Sequence, residues 1–355
     1  MKVNAKKNDR SAAYVVDQID DSAVELNAAG AGMNDLVKEQ TAFETKYMNP
    51  DFYEPVASEI GRQELNQTHL RISGLFKQYN NGFKAVNGIN LQMYSDQIFV
   101  LLGHNGAGKT TTISMLTGLF SASEGEAHVF GVSMFDEADE LRQFMGVCPQ
   151  HEVLFPLLTP EEHLDIFYDF KGADSDPEVK WAEINKLLVD VGVDDKRHHI
   201  SSQLSGGNQR KVSVCIALCG GSKFVLLDEP SSGLDLTARR QMWNMLKEHK
   251  KDKIIILTTH YMDEADILGD RIGIMSAGKI TCLGSSMFLK HKFGVGYTMT
   301  IVKTTNTKNK TVLPFLRRNL GPDVKKLTEV HQEMTFQIPS KYAEKFKMFF
   351  KAFDF

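Results

Sequence analysis

Gly103-His-Asn-Gly-Ala-Gly-Lys109-Thr110 follows the apolar run Ile-Phe-Val-Leu-Leu at 98–102 and precedes a helix-like stretch that opens at Thr110. Its spacing fits G-x-x-x-x-G-K-[ST], and the apolar-run, loop, helix order is the setting in which that pattern has a mechanism. The glycines let backbone N–H groups turn inward around phosphates. The N-terminus of the next helix adds the positive end of its dipole. Lys109 is placed to reach β- and γ-oxygens, and Thr110 to offer a hydroxyl to Mg2+. A nucleoside triphosphate site is predicted, but the loop alone does not separate a kinase from a GTPase or an ATPase.

Working outward, Phe224-Val-Leu-Leu227 runs into Asp228-Glu229. Four apolar residues ending in a carboxylate read as a buried strand that delivers Asp228 to its carboxyl end, where Mg2+-bound nucleotide would sit. Glu229 beside it suits orienting or deprotonating a water. Taken alone, the pair reads equally as a strand leaving the core. Leu204-Ser-Gly-Gly-Asn-Gln-Arg210 is a second anion-binding helix start. Ser205 can cap it, Gly206 and Gly207 expose backbone N–H groups, and Val212, Cys215, Ile216 and Cys219 supply a buried face. A chain with one phosphate-loop lysine rarely needs two phosphate cradles in one site.

The rest of the chain sets the frame. At 355 residues, 42% hydrophobic and 24% charged, it has apolar material for a sizeable core and is no disordered protein. A net charge of −4 argues against a nucleic-acid-coating protein, although 1–66 is net acidic and 301–355 net basic. No stretch approaches the ~18 apolar residues of a membrane span. The four cysteines are too irregularly spaced for a disulfide framework and read as core thiols of a reducing compartment. Short apolar runs at 98–102, 224–227, 254–257 and 272–275 alternate with amphipathic stretches, which predicts an α/β fold with largely parallel, two-face-buried strands. The segment 140–220 shows helices and no convincing strand. In it Thr159-Pro-Glu-Glu162 carries a capping box that should start a helix.

Residues 1–66 read as a connector, partly helical around 35–43, with prolines at 50 and 55. Beyond 300 the β-like runs 297–302 and 334–338 lead to Tyr342, Phe346, Phe349, Phe350 and Phe353 at helical spacing among lysines. That face can pack on the preceding strands or lie on a membrane surface.

With these motifs in order, the chain resembles the nucleotide-binding domain of ATP-binding cassette (ABC) transporters over roughly 70–300. Gly103–Thr110 is similar to the family's P-loop, Leu204–Gln209 to its signature and Leu226–Pro230 to its Walker B strand. The resemblance implies an ABC-type P-loop NTPase core with an inserted helical subdomain (about 140–220), an antiparallel β portion and the start of a regulatory α+β extension at 301–355. It implies that Gln150 is the Q-loop glutamine near the metal, that Ser232-Gly-Leu-Asp235 is the D-loop, that His260 is the switch histidine on the γ-phosphate, and that Tyr79 stacks on adenine. ATP contacts then fall on Tyr79, Gly103, Asn105, Gly106, Gly108, Lys109, Thr110 and Thr111. Ser205, Gly206, Gly207 and Asp235 would complete a partner's site. Mg2+ falls to Thr110, Gln150 and Asp228, and catalysis to Glu229, His260 and Gln150. Asn208 departs from the commoner signature glutamine, which leaves the N–H groups and Ser205 their phosphate work.

His104, Val147-Cys-Pro-Gln-His-Glu-Val-Leu-Phe155, Thr259-His-Tyr-Met-Asp-Glu-Ala-Asp266 and Gly284-Ser-Ser-Met-Phe-Leu289 narrow the resemblance to the A subfamily, commonly lipid transporters or exporters. It implies ATP hydrolysis coupled to transport, a second cassette, transmembrane domains handling lipid, and a place on the cytoplasmic face of a membrane. The chain is expected to be a segment of a longer transporter, or else a soluble subunit docking on a membrane protein. The rival reading is a soluble ABC ATPase acting on ribosomes or DNA. Only one cassette is present, the P-loop and signature lie too close for an intervening long coiled coil, and there is no basic stripe, so no nucleic-acid partner is expected.

Overall fold

The computed structural model describes residues 51–56, 63–64, 66–151, 153–172, 176–294, 296–302, 309–330 and 333–353. The helix expected around 35–43 lies outside them. In chain order the elements begin β1 His69–Gln78, β2 Lys84–Tyr94, β3 Gln97–Leu102, α1 Lys109–Leu116, β4 Glu124–Val129, β5 Val132–Ser133, α2 Ala138–Leu141 and β6 Met145–Cys148. They continue with α3 Pro160–Phe170, α4 Pro177–Asp190, α5 Gly206–Leu218, β7 Phe224–Asp228, α6 Leu236–Glu248, β8 Ile254–Thr259, α7 Met262–Leu268, β9 Arg271–Ser276 and β10 Lys279–Gly284. Last come α8 Ser286–Phe293, β11 Tyr297–Val302, α9 Asn309–Asn319, β12 Lys325–Val330, β13 Glu333–Ile338 and α10 Phe346–Phe353.

Aliphatic residues on both faces put the predicted runs into one sheet, ordered β10-β9-β3-β8-β7-β6. Its strands pair in parallel except β10, which runs antiparallel on β9. Ile98 and Val100 of β3 join a core with α4, α5 and α6 on one face. Phe99 and Leu101 join a second core with α1, β1 and β2 on the other. The antiparallel sheet β2-β1-β4-β5 closes that second side. Thr159 starts α3 as its sequence predicts: its hydroxyl accepts from the Glu162 N–H at 3.2 Å and the Glu162 carboxylate accepts from the Thr159 N–H at 2.8 Å.

The structure corrects three boundaries. A strand, β6, lies inside 140–220 and pairs in parallel with β7. It is only four residues long and carries Gly146, where a Cβ would stand 1.7 Å from the Ala217 carbonyl of α5, so packing against α5 demands the glycine. The helical insertion is therefore α3, α4 and their loops, and α5 belongs to the sheet's own layer. Secondly, the C-terminal unit starts before 301, because β11 pairs with β13 in the sheet β11-β13-β12. Tyr342 and Phe349 pack beneath it with Met334, Phe336 and Ile338, whereas Phe350 stays half exposed. Thirdly, part of the expected connector is folded onto the cassette's edge. The Leu283 N–H donates to the Phe52 carbonyl and the Glu54 N–H to the Leu283 carbonyl, at 2.9 and 2.8 Å. The Glu54 carboxylate takes the Ser285 backbone and hydroxyl at the start of α8.

Candidate nucleotide site

Parallel register sets the site. Asp228 stands opposite Thr258, and Leu102 opposite Thr259, so β3, β7 and β8 end together. The chain leaves β3 into the glycine loop, whose crown at Asn105 and Gly106 is exposed. Gly108 caps α1 in the left-handed region at φ 108°, and a Cβ there would sit 2.4 Å from the Ala85 carbonyl. Only glycine serves at that point. Lys109 opens α1 and is buried. Its ammonium donates to the carbonyls of Gly103 (2.7 Å) and His104 (3.2 Å) and lies 3.9 Å from the Glu229 carboxylate. Burial lowers its pKa, and the charges of Glu229 and Asp228 oppose that fall.

At the end of β7 the Asp228 carboxylate accepts from the Thr110 hydroxyl at 3.4 Å and from the buried Thr258 hydroxyl. Thr258 in turn takes the Glu229 N–H on its side-chain oxygen at 3.0 Å. Glu229 itself sits at φ 50°, an unusual backbone for a non-glycine residue. Its carboxylate lies 3.2 Å from His260 Nδ1 just beyond β8. Oxygen donors from Thr110 and Asp228, one of them a carboxylate, suit Mg2+, which is bound by one or two carboxylates plus substrate phosphates. Gln150 follows β6 on the same edge with its residue exposed.

Among the described residues no hydrogen bond or ion pair joins Tyr79, Ser205, Gly206, Gly207 or Asp235 to this group. Tyr79 forms the tight turn after β1, its N–H donating to the Phe83 carbonyl at 3.0 Å, and is half buried. Ser205 caps α5 as expected, taking the Asn208 N–H at 3.3 Å. A Cβ on Gly206 would meet nothing within 4 Å, so the chain's own packing does not require that glycine. Asp235 caps α6, accepting from the Ala238 N–H at 2.7 Å. Thr111 lies in the first turn of α1 without a role visible in these contacts. The four cysteines are buried and unbridged, and burial pushes the Cys219 thiol up to about 11. His198 and His199 are exposed.

The ABC transporter family profile matches residues 86–232. Phospholipid-transporting ATPase ABCA3 of Homo sapiens is 43% identical over 281 residues, covering 79% of this chain and 16% of the relative. ABC transporter A family member 5 of Dictyostelium discoideum is 43% identical over 296 residues, covering 81% and 18%. The chain thus spans under a fifth of the length of these relatives. A solved ATP-binding subunit of an ABC transporter superposes with a TM-score of 0.59 at 25% identity, covering 64% of this chain and 94% of that one. The chain carries an ABC transporter cassette of the A-subfamily type.

One residue of this cassette escaped the sequence reading although it ends the quoted stretch Leu204–Arg210. Arg210 on α5 is almost wholly buried. Its guanidinium donates to the carbonyls of Pro149 (2.6 Å) and Gln150 (3.1 Å), and to those of Glu229 (2.9 Å), Pro230 (3.1 Å) and Asp228. Three successive carbonyls, from the last residue of β7 onward, converge on one planar fork. The left-handed turn at Glu229 lies within that run, and Arg210 holds it together with the start of the Q-loop. The sequence carried no signal for it: at helical spacing Arg210 lies opposite the face of Val212, Cys215, Ile216 and Cys219, where an arginine reads as solvent-facing until the carbonyls are seen.

Proposed function

We propose that the cassette binds Mg·ATP on the Gly103–Thr110 loop and hydrolyses it to drive transport across a membrane, with lipid as the cargo class. The observation that carries this reading is the Glu229 carboxylate, held between Lys109 and His260 at the end of the sheet that also presents the loop. Tyr79 would stack on the adenine, and the loop N–H groups with Lys109 would take the phosphates. Thr110, Gln150 and Asp228 would hold Mg2+, which supplies charge neutralisation at the β- and γ-oxygens. Water attacks the γ-phosphorus, the bond to the β–γ bridging oxygen breaks, and ADP leaves. Glu229 accepts the proton of that water, and His260 stabilises the charge that develops on the γ-phosphoryl oxygens.

Among the described residues the Gly206 and Gly207 N–H groups at the helix start capped by Ser205 have no acceptor, which suits the phosphates of a second cassette's nucleotide. Two cassettes then close head to tail on ATP and separate after hydrolysis. Val153, Phe155 and Leu157, exposed beside the Q-loop, offer apolar contacts to transmembrane domains. The cassette would work on the cytoplasmic face of a membrane. The lipid assignment rests on the names of the relatives.

The test is the solution mass of the Glu229→Gln chain by light scattering with and without Mg·ATP, beside the turnover of both forms. An ATP-dependent dimer and a turnover lower by on the order of 10²-fold are expected. Equal turnover in the two forms would remove Glu229 as the base. A monomer that binds ATP would instead require a non-identical partner cassette.

A further inference from the structure

Behind His260 lies a stack of side chains that none of the nucleotide-binding motifs includes. The Tyr261 ring, half buried, faces the His260 ring with centroids 4.1 Å apart and planes inclined by 37°. The Arg239 guanidinium carbon lies 4.1 Å from the centroid of the same Tyr261 ring. That is close face contact for a guanidinium on an aromatic ring. Arg239 Nε is buried without a hydrogen-bond partner among the described residues, so the ring holds this part of the guanidinium.

The two elements that carry the stack are fixed to each other. Arg239 lies on α6, and its N–H donates to the carbonyl of the capping residue Asp235 at 2.9 Å. Tyr261 caps α7, its N–H bound to the Thr259 hydroxyl at 3.0 Å. Between α6 and α7 the buried Trp243 indole donates to the Glu264 carboxylate at 3.0 Å. A movement at the start of α6 is therefore carried to Arg239.

We propose that Arg239 and Tyr261 are positioning residues for His260: the guanidinium, phenol and imidazole form one stack that sets the histidine ring against Glu229 and ties its pose to the first turn of α6. This rests on the reading of His260 as the histidine that meets the γ-phosphate. Neither Arg239 nor Tyr261 touches the loop that holds the nucleotide, so their loss should lower turnover without weakening ATP binding. A ring displaced by an ångström is enough for a loss of about 10- to 100-fold.

The experiment measures kcat, KM and ATP affinity for the chain and for Tyr261→Leu, Tyr261→Phe, Arg239→Gln and His260→Ala, with thermal unfolding as a check on folding. Tyr261→Leu is expected to cut kcat about tenfold at unchanged ATP affinity, and Tyr261→Phe to stay within about twofold of wild type. In a His260→Ala background, Tyr261→Leu and Arg239→Gln should cost nothing more, because the residue they position is gone. Wild-type turnover of Tyr261→Leu beside an impaired His260→Ala overturns the stack alone. The same fractional loss in both backgrounds also overturns it. Unchanged turnover of His260→Ala overturns the role of the histidine and, with it, the proposal. Where turnover is too slow to compare, the His260 ring resonances decide: Arg239→Gln should move them and leave those of exposed His198 and His199 in place, and an unmoved His260 overturns the proposal.

Discussion

At the end of β7 one residue, Glu229, combines a left-handed backbone with a carboxylate wedged between a lysine and a histidine. Such a backbone costs on the order of 1–3 kcal/mol and persists only where its surroundings fix it. Arg210 is that fixture. A lysine at 210 keeps the charge but cannot offer a planar fork to five carbonyls. Arg210→Lys should therefore destabilise the chain by at least about 2 kcal/mol, read from the urea midpoint. Turnover should fall further than ATP affinity does, because Gln150 and Glu229 lose their anchor while the glycine loop keeps its own. Stability and turnover both equal to wild type would remove Arg210 from this role. The nucleotide loop, Asp228 and Ser205 were legible in the sequence because each performs its chemistry through a local pattern. Arg210 and Arg239 act on residues far away in the chain, and Tyr261, though next to His260, joins the stack only through Arg239; no spacing rule announces such contacts.

At the scale of elements, strands buried on both faces announced themselves as apolar runs, whereas β6 did not. Its four residues include a glycine that exists for α5, so the strand lacks the aliphatic run by which the others were read. The loop before α3 holds a comparable hidden device. His163 is fully buried, with Nδ1 2.8 Å from the Thr159 carbonyl and the Phe155 N–H donating to Nε2 at 2.9 Å. The second bond needs an unprotonated Nε2, so the ring is neutral. Burial lowers its pKa from the ordinary 6.5, against the opposing pull of the Thr159 carbonyl and the Glu162 charge. A lowered folded pKa means the unfolded chain takes the proton first as pH falls. Stability from this site is then fully present above about pH 6.5 and declines below it, by up to about 1.4 kcal/mol per pH unit. Urea unfolding at pH 7.5 and 5.5 should show that loss for wild type and a smaller one for His163→Asn. Equal pH slopes would sink the assignment. The loop concerned includes exposed Val153, Phe155 and Leu157, so the same protonation would loosen the apolar surface assigned to the membrane domains.

At the scale of the whole molecule, the described residues form three clusters of buried hydrophobic side chains, and the third, Leu316 to Phe349, shares no residue with the two that sandwich the main sheet. β11 finds its partner in β13 rather than in any cassette strand. The N-terminal strap behaves oppositely. Phe52 stacks on Phe293 of α8 at 5.8 Å, Glu54 takes the Ser285 N–H at the start of that helix, and Tyr53 bridges to Leu283 of β10. The strap and α8 thus cover the exposed edge of the large sheet, a position where unpaired backbone would otherwise invite association. The cassette accordingly closes at α8. A chain ending at Gly294 should keep the unfolding midpoint of the cassette and its ATP affinity, and lose only the signal of the C-terminal sheet. Removing residues up to 56 should instead lower the cassette's midpoint, since β10 then loses both backbone bonds to Phe52 and Glu54 along with the Glu54 cap of α8. A C-terminal truncation that costs the cassette stability, or an N-terminal one that costs none, would show that the two ends divide the work differently from the way their cores and hydrogen bonds divide it.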